Sequence, residues 1–111
     1  KSGASWEGYV IEETIKAIEP DEVYYWATHS GAEIDLLLVK EWRLLGVECK
    51  RMDAPRMTPS MRTALKDLKL EQIAVVYPGR SRYSLGARVA AVPQEAVAEG
   101  MKGLFPKKER V

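Results

Sequence analysis

Two aliphatic runs, Ile34-Asp35-Leu36-Leu37-Leu38-Val39 and Leu45-Gly46-Val47-Glu48-Cys49-Lys50, stand close together in the sequence, and each carries charge in its interior. The runs are short, β-branched or leucine-rich, and joined through Glu41-Trp42, which is the pattern of a hairpin. Strand period two puts Asp35 on the face of Leu37 and Val39, and it puts Glu48 and Lys50 on one face about 7 Å apart. If Lys40 pairs with Arg43 across a two-residue tip, Val39 faces Leu44, Leu37 faces Gly46 and Asp35 faces Glu48. A slip of one residue would set Asp35 opposite Val47 and send the two acids to opposite faces. Buried ionised groups cost several kcal/mol unless they are paired or metal-bound. Gly46, beside these residues, would leave room for a ligand.

The rest of the chain supplies layers for such a hairpin. Ser5 to Ile18 reads as a helix stopped by Pro20, with Val10, Ile11, Thr14, Ile15 and Ile18 on one stripe. Glu7 projects onto that same stripe and is expected to press toward whatever the helix covers. The other reading of Glu7 is a first-turn acid that complements the helix dipole. Val23 to Thr28 reads as a strand and His29-Ser30-Gly31 as a turn. Thr58 or Ser60 caps a helix over Met61 to Leu70. Ile73 to Tyr77 is apolar throughout, as in a strand covered on both faces, and Pro78-Gly79 ends it. Tyr83 to Val92 reads as a strand interrupted near Gly86. Pro93 starts a short helix over Gln94 to Ala98, and the chain from Gly100 is expected to fray. Tyr24, Tyr25 and Trp26 are expected in the core and on the sheet face, His29 in a surface turn, and Cys49 as a small core residue pointing away from Glu48 and Lys50.

A chain of 111 residues with 46% apolar and 30% charged residues is sized and balanced as one globular domain. Its single cysteine excludes an internal disulfide and favours a reducing, cytoplasmic setting. No apolar run approaches a membrane span, and no signal segment is visible. The first residue is Lys1, so the sequence reads as a piece of a longer protein. The net charge of +1 conceals an acidic front, with 4 basic and 10 acidic residues over 1–49, and a basic back, with 13 and 6 over 50–111. Such halves either attract each other in the fold, or hold a cation at one place and a polyanion around it.

Glu7, Asp35 and Glu48 brought together would form an oxygen-donor pocket suited to Mg²⁺ or Mn²⁺. Lys50 beside it could orient a water and offset negative charge, which is equipment for phosphodiester hydrolysis. The competing reading is a structural Glu48–Lys50 pair at a sheet edge, with Asp35 bonded to a turn. The basic residues Arg51, Arg56, Arg62, Lys66 and Lys69 could line the approach of a phosphate backbone, or simply form a solvated face. Ser60 and Arg62 are expected near the pocket.

This order of elements resembles the PD-(D/E)xK, restriction-endonuclease-like superfamily. Gly3-x-x-Trp6-Glu7-x-x-Val10, Gly31-Ala32-Glu33-Ile34-Asp35 and Val47-Glu48-Cys49-Lys50 are similar to the nuclease-like C-terminal domain of a group of prokaryotic AAA+ ATPases. Thr58-Pro59-Ser60-Met61-Arg62-x-Ala64-Leu65 and Val75-Val76-Tyr77-Pro78-Gly79 extend the resemblance, which covers residues 3–98 and leaves 99–111 as a basic tail. Ile34 stands where the name-giving proline would be. The resemblance implies an α/β restriction-endonuclease-like fold with a mixed central sheet flanked by helices. It also implies metal acids at Asp35 and Glu48, an active-site lysine at Lys50, a supporting carboxylate at Glu7, and Mg²⁺ or Mn²⁺ as cofactor. DNA and an ATPase domain of the same full-length chain are the implied partners. No G-x-x-x-x-G-K-[ST] occurs in this sequence. The alternatives are an inactive nucleic-acid- or protein-docking module that regulates the ATPase, or an oligomer-forming appendage.

Overall fold

A computed structural model describes residues 5–107. The first helix, α1 (Trp6–Ile18), starts where the Ser5 hydroxyl accepts the Gly8 N–H at 3.0 Å, and stops where Glu19 turns left-handed at φ 52°. Its buried residues Val10, Thr14 and Ile18 recur at helical spacing and seat it on a sheet. That sheet contains β1 (Glu22–Ala27), β2 (Glu33–Lys40), β3 (Arg43–Cys49), β4 (Gln72–Tyr77), β5 (Tyr83–Gly86) and β6 (Val89–Pro93). Helix α2 (Pro59–Leu68) precedes β4, and a 3-10 helix (Gln94–Glu99) and the short α3 (Met101–Leu104) follow β6.

The strand order is β1-β2-β3-β4-β6-β5. β1, β2 and β3 form an antiparallel meander, β3, β4 and β6 run parallel, and β5 returns antiparallel to β6. The protein is therefore an α/β fold with a mixed six-stranded sheet flanked by helices. On one face, Leu36, Leu38, Leu45, Val47 and Val76 pack under α1, the 3-10 helix and α3. On the other, Leu37, Ile73, Val75 and Val89 pack under Met61, Ala64 and Leu65 of α2. Burying each of these larger aliphatic side chains contributes about 1.5–3 kcal/mol, which is why β4, buried from Ile73 to Tyr77, lies at the centre.

Lys40 pairs with Arg43, Val39 with Leu44 and Leu37 with Gly46, the register expected from a two-residue tip. Several other expectations need correction. β1 pairs Tyr24 with Leu37 but Trp26 with Ile34, so Asp35 and Leu36 together face the single Tyr25. This is a β-bulge in β2. It breaks strict alternation: Ile34 and Leu37, three residues apart, both belong to the α2-side core, so Asp35 does not follow Leu37 by period two. The space over Gly46 is already taken, since a Cβ there would lie 3.1 Å from Leu70 and 3.5 Å from Ile34. No ligand room exists at Gly46. Tyr24 and Tyr25 are 49% and 70% exposed because β1 is an edge strand; only Trp26 packs against the core.

Helix α2 begins two residues earlier than expected, with Thr58 as its cap and Pro59 in its first turn, and ends at Leu68. The stretch 83–92 is a hairpin of two strands, not one interrupted strand. Chain beyond Gly100 does not fray at once: Met101–Leu104 is helical, and Leu104 and Phe105 lie in the α1-side core. The folded unit thus passes residue 98, because this apolar pair has a place under the sheet. Gly3, Lys108 and Arg110 lie outside the described residues.

Candidate metal centre

The acids and the lysine meet where β2 and β3 part. The β2–β3 ladder pairs residues as far as Leu36 with Val47. Beyond it β3 continues alongside β4, and the Lys50 N–H still reaches Val76 O at 2.9 Å. In the opening, side chains replace the missing ladder bonds. The Asp35 backbone N–H donates to Glu48 Oε1 at 2.7 Å, and the Cys49 N–H donates to Asp35 Oδ2 at 2.8 Å. The two carboxylates therefore hold each other's strand, and they point into the gap because the strands diverge there. This exchange leaves Asp35 Oδ1 and Glu48 Oε2 as the remaining carboxylate oxygens. Lys50 Nζ stands 3.8 Å from Glu48 Oε2.

Glu7, Asp35, Glu48 and Lys50 all line one cleft of about 270 Å³. Gly31, Glu33, Cys49, Thr58 and Ser60 complete its wall. Glu7 comes from the first turn of α1, on the same side as Val10 and Thr14 but past the end of the packed region, so it is exposed and not pressed onto the sheet. Ser60 comes from the opposite layer and its Oγ accepts the Glu33 N–H at 3.3 Å. The cleft thus lies between the N-terminal ends of α1 and α2, at the carboxyl end of β3. Openings at the carboxyl ends of parallel strands are where open α/β sheets present ligand sites.

Burial and charge set the protonation behaviour. Glu48 is 4% exposed. Burial first, and then the neighbouring Asp35 charge, push its carboxyl from 4.5 up to about 7, against the pull of Lys50. Burial and the surrounding carboxylates push the Cys49 thiol up to about 12, so it is a core residue and no nucleophile at neutral pH. The remaining oxygens of Asp35 and Glu48, with Glu7 across the cleft, suit a hard divalent cation that keeps several waters. They do not form an all-protein cage: among the described residues, no group of three or more His, Cys, Asp or Glu is arranged to hold a metal ion.

Arg51, Arg56 and Arg62 are exposed and lie off the cleft wall, whereas Ser60 is on it. The Arg51 guanidinium stands over the Trp6 ring, 6.0 Å from its centroid. Sequence reasoning missed Glu33 and Thr58 as wall residues. Glu33 was signalled by its position two residues before Asp35. Thr58 reads from the sequence only as a helix cap, and nothing local indicates that the capped end faces the cleft.

Fold and cleft together define an α/β domain with a carboxylate pair and a lysine at the mouth of a divided sheet. Residues 2–97 match the family described as Domain of unknown function (DUF4143), and the chain belongs to that family. It is similar to uncharacterized proteins of Mycobacterium tuberculosis and Mycobacterium bovis, each 44% identical over 97 residues. Those matches cover 87% of this chain and 22% of each relative, so the chain spans about a fifth of the length of the curated relatives it matches. No solved structure matches the chain. Among the described residues, no helix is long and apolar enough to cross a membrane.

Proposed function

We propose that this domain is a PD-(D/E)xK-type, metal-dependent hydrolase of DNA phosphodiester bonds, carried by an AAA+ ATPase. The observation that supports this reading most is the reciprocal exchange between Asp35 and Glu48 beside Lys50. Asp35 and Glu48 would hold Mg²⁺ or Mn²⁺ through their remaining oxygens, with Glu7 supporting the ion across the cleft. The cation, when bound, supplies Lewis acidity toward water and phosphate oxygen.

The chain's own groups do the rest. The backbone N–H groups of Asp35 and Cys49 fix both carboxylates, so little reorganisation is needed on binding. The Lys50 ammonium, 36% exposed, can reach substrate from the cleft rim, orient a water and offset charge that grows on the phosphate. Thr58 and Ser60 bring the N-terminus of α2 to the same cleft, where its partial positive charge favours a phosphate. Arg51, Arg56 and Arg62 would meet the DNA backbone outside the cleft.

The test is incubation with supercoiled, linear and branched DNA plus Mg²⁺ or Mn²⁺, beside Asp35→Ala and Lys50→Ala. Each substitution is expected to reduce cutting by about a hundredfold or more. Cutting that survives both would overturn the reading. The exposed Arg51, Arg56 and Arg62 outside the cleft also fit a second reading, a docking module that binds nucleic acid without cutting. Salt-sensitive DNA binding with no cleavage in either metal would select it.

A further inference from the structure

A second hollow, of about 420 Å³, opens on the α1 side of the sheet at the same end as the cleft. Tyr9, Val10 and Glu13 of α1 form one wall, the turn Pro78-Gly79-Arg80 after β4 a second, and the start of the 3-10 helix after β6 a third. Because β3, β4 and β6 are parallel, this hollow and the Glu48–Lys50 cleft both lie at strand carboxyl ends.

A single side chain links them. The Trp6 ring carries Arg51, the neighbour of Lys50, on its face, while its Nε1–H donates to Gln94 Oε1 at 2.8 Å. An indole N–H can only donate, which sets the Gln94 amide with its oxygen toward Trp6 and leaves its NH₂ group free as a donor. The wall opposite is rigid. The Tyr77 hydroxyl donates to Ser81 O at 2.5 Å and accepts the Ser81 N–H at 3.3 Å. A Cβ on Gly79 would fall 2.0 Å from the Tyr77 ring, so only glycine lets the turn lie flat there.

The chemistry favours a planar, uncharged ligand. Val10 and Val97 give an apolar floor, and the Tyr9 ring, 54% exposed, stands at the rim. Glu13, paired with Lys16 at 3.5 Å, and Glu95 stand against the single Arg80 of the lining, so no cluster of cations is there to hold a phosphate. Acceptors on Glu13 and Glu95 and donors on Gln94 and Arg80 match a heteroaromatic ring that carries both kinds of group. We infer that this hollow receives a nucleobase of the polymer whose phosphate enters the Glu48–Lys50 cleft. The inference rests on the nucleic-acid reading above, and Tyr9 and Gln94 are the residues that recognise the base.

Base binding requires neither cation nor turnover, so the two ideas fail separately. Deoxynucleoside monophosphates and, as an abasic control, deoxyribose 5-phosphate are titrated without metal into the ¹⁵N-labelled chain. Signals of Arg80, the Gln94 side chain and Ala98 report the hollow, and those of Cys49 and Lys50 report the cleft. Nucleotides should move the hollow signals and the abasic control should not. Tyr9→Ala should weaken that response about tenfold. Gln94→Glu should weaken it similarly, since a carboxylate still accepts from Trp6 but offers no donor. Asp35→Ala, which removes cutting under the hydrolytic reading, should leave the response intact. Hollow signals that stay still at millimolar nucleotide would overturn the inference. So would an equal response to deoxyribose 5-phosphate.

Discussion

Glu48 is the residue at which stability and chemistry pull apart. Its carboxyl is pushed from 4.5 to about 7 by burial and by Asp35, so between those values the folded chain holds a proton that the unfolded chain has released. The folded state binds more protons in that window, and stability must therefore fall as pH rises through it. Above pH 7 the cost is about 3 kcal/mol at full ionisation. Glu48→Gln keeps an oxygen for the Asp35 N–H but carries no charge. The variant is expected to be more stable than the parent at pH 8 and close to it at pH 4.5, with the difference opening between. Urea unfolding of both proteins across pH 4.5–8 measures it; a difference that does not change with pH would defeat the argument. Mn²⁺ at pH 8 should raise the melting temperature of the parent and leave Glu48→Gln unmoved. Cys49, whose thiol is raised first by burial and then by the neighbouring carboxylates, reports the same buried surroundings. With its thiol pushed from 9.0 to about 12, native-state alkylation at pH 8 should run about a thousandfold slower than in urea.

At the scale of elements, the hairpin β2–β3 was legible and its flaw was not. A two-residue tip fixes register, and the apolar residues confirm it by burial, so the meeting of Asp35 with Glu48 could be read from Lys40 and Arg43 inward. The bulge at Asp35–Leu36 could not, because it arises from β1, whose pairing slips by one residue between Tyr24 and Trp26. A strand's own sequence does not announce an irregularity imposed by its neighbour. Glu7 was legible as a residue of the packed face, but where that face runs off the sheet depends on how far α1 overhangs. The tip itself carries strain. Glu41 and Trp42 both adopt positive φ, 54° and 69°, the primed-turn geometry that normally selects Asn-Gly. Trp42 is 99% exposed, so its side chain returns no burial. Trp42→Gly should therefore stabilise the domain by about 1 kcal/mol, seen as a higher urea midpoint at unchanged slope. A lower midpoint would mean that the indole makes contacts worth more than the backbone strain.

At the scale of the whole molecule, the family match and the folded unit end at different places. The match stops at residue 97, and the resemblance read from the sequence ends at 98, with the basic chain from Gly100 expected to fray. Met101, Leu104 and Phe105, at i, i+3 and i+4, argue otherwise, but a single turn is too short a pattern to read as a packed helix from sequence. Yet Phe105 is 1% exposed and Leu104 2%, both in the core under α1. The segment is also fastened to the start of β3, where Arg43 donates to Phe105 O at 3.3 Å, and to the residue before β5, where Arg82 donates to Gly103 O. Emptying a buried Phe site costs about 3–5 kcal/mol and a buried Leu site about 2–5. Domains of this size have about 5–15 kcal/mol in total. A chain cut after Ala98 should then lose cooperative unfolding, whereas one cut after Lys107 should retain it. Phe105→Ala in the full chain should lower stability by about 3–5 kcal/mol, and Lys102→Ala, an exposed position of α3, should be near neutral. Calorimetry on the four proteins decides the matter. A cooperative transition in the shorter piece would mean that α1 and the sheet close without the last two core residues, and that the family boundary is also the folding boundary.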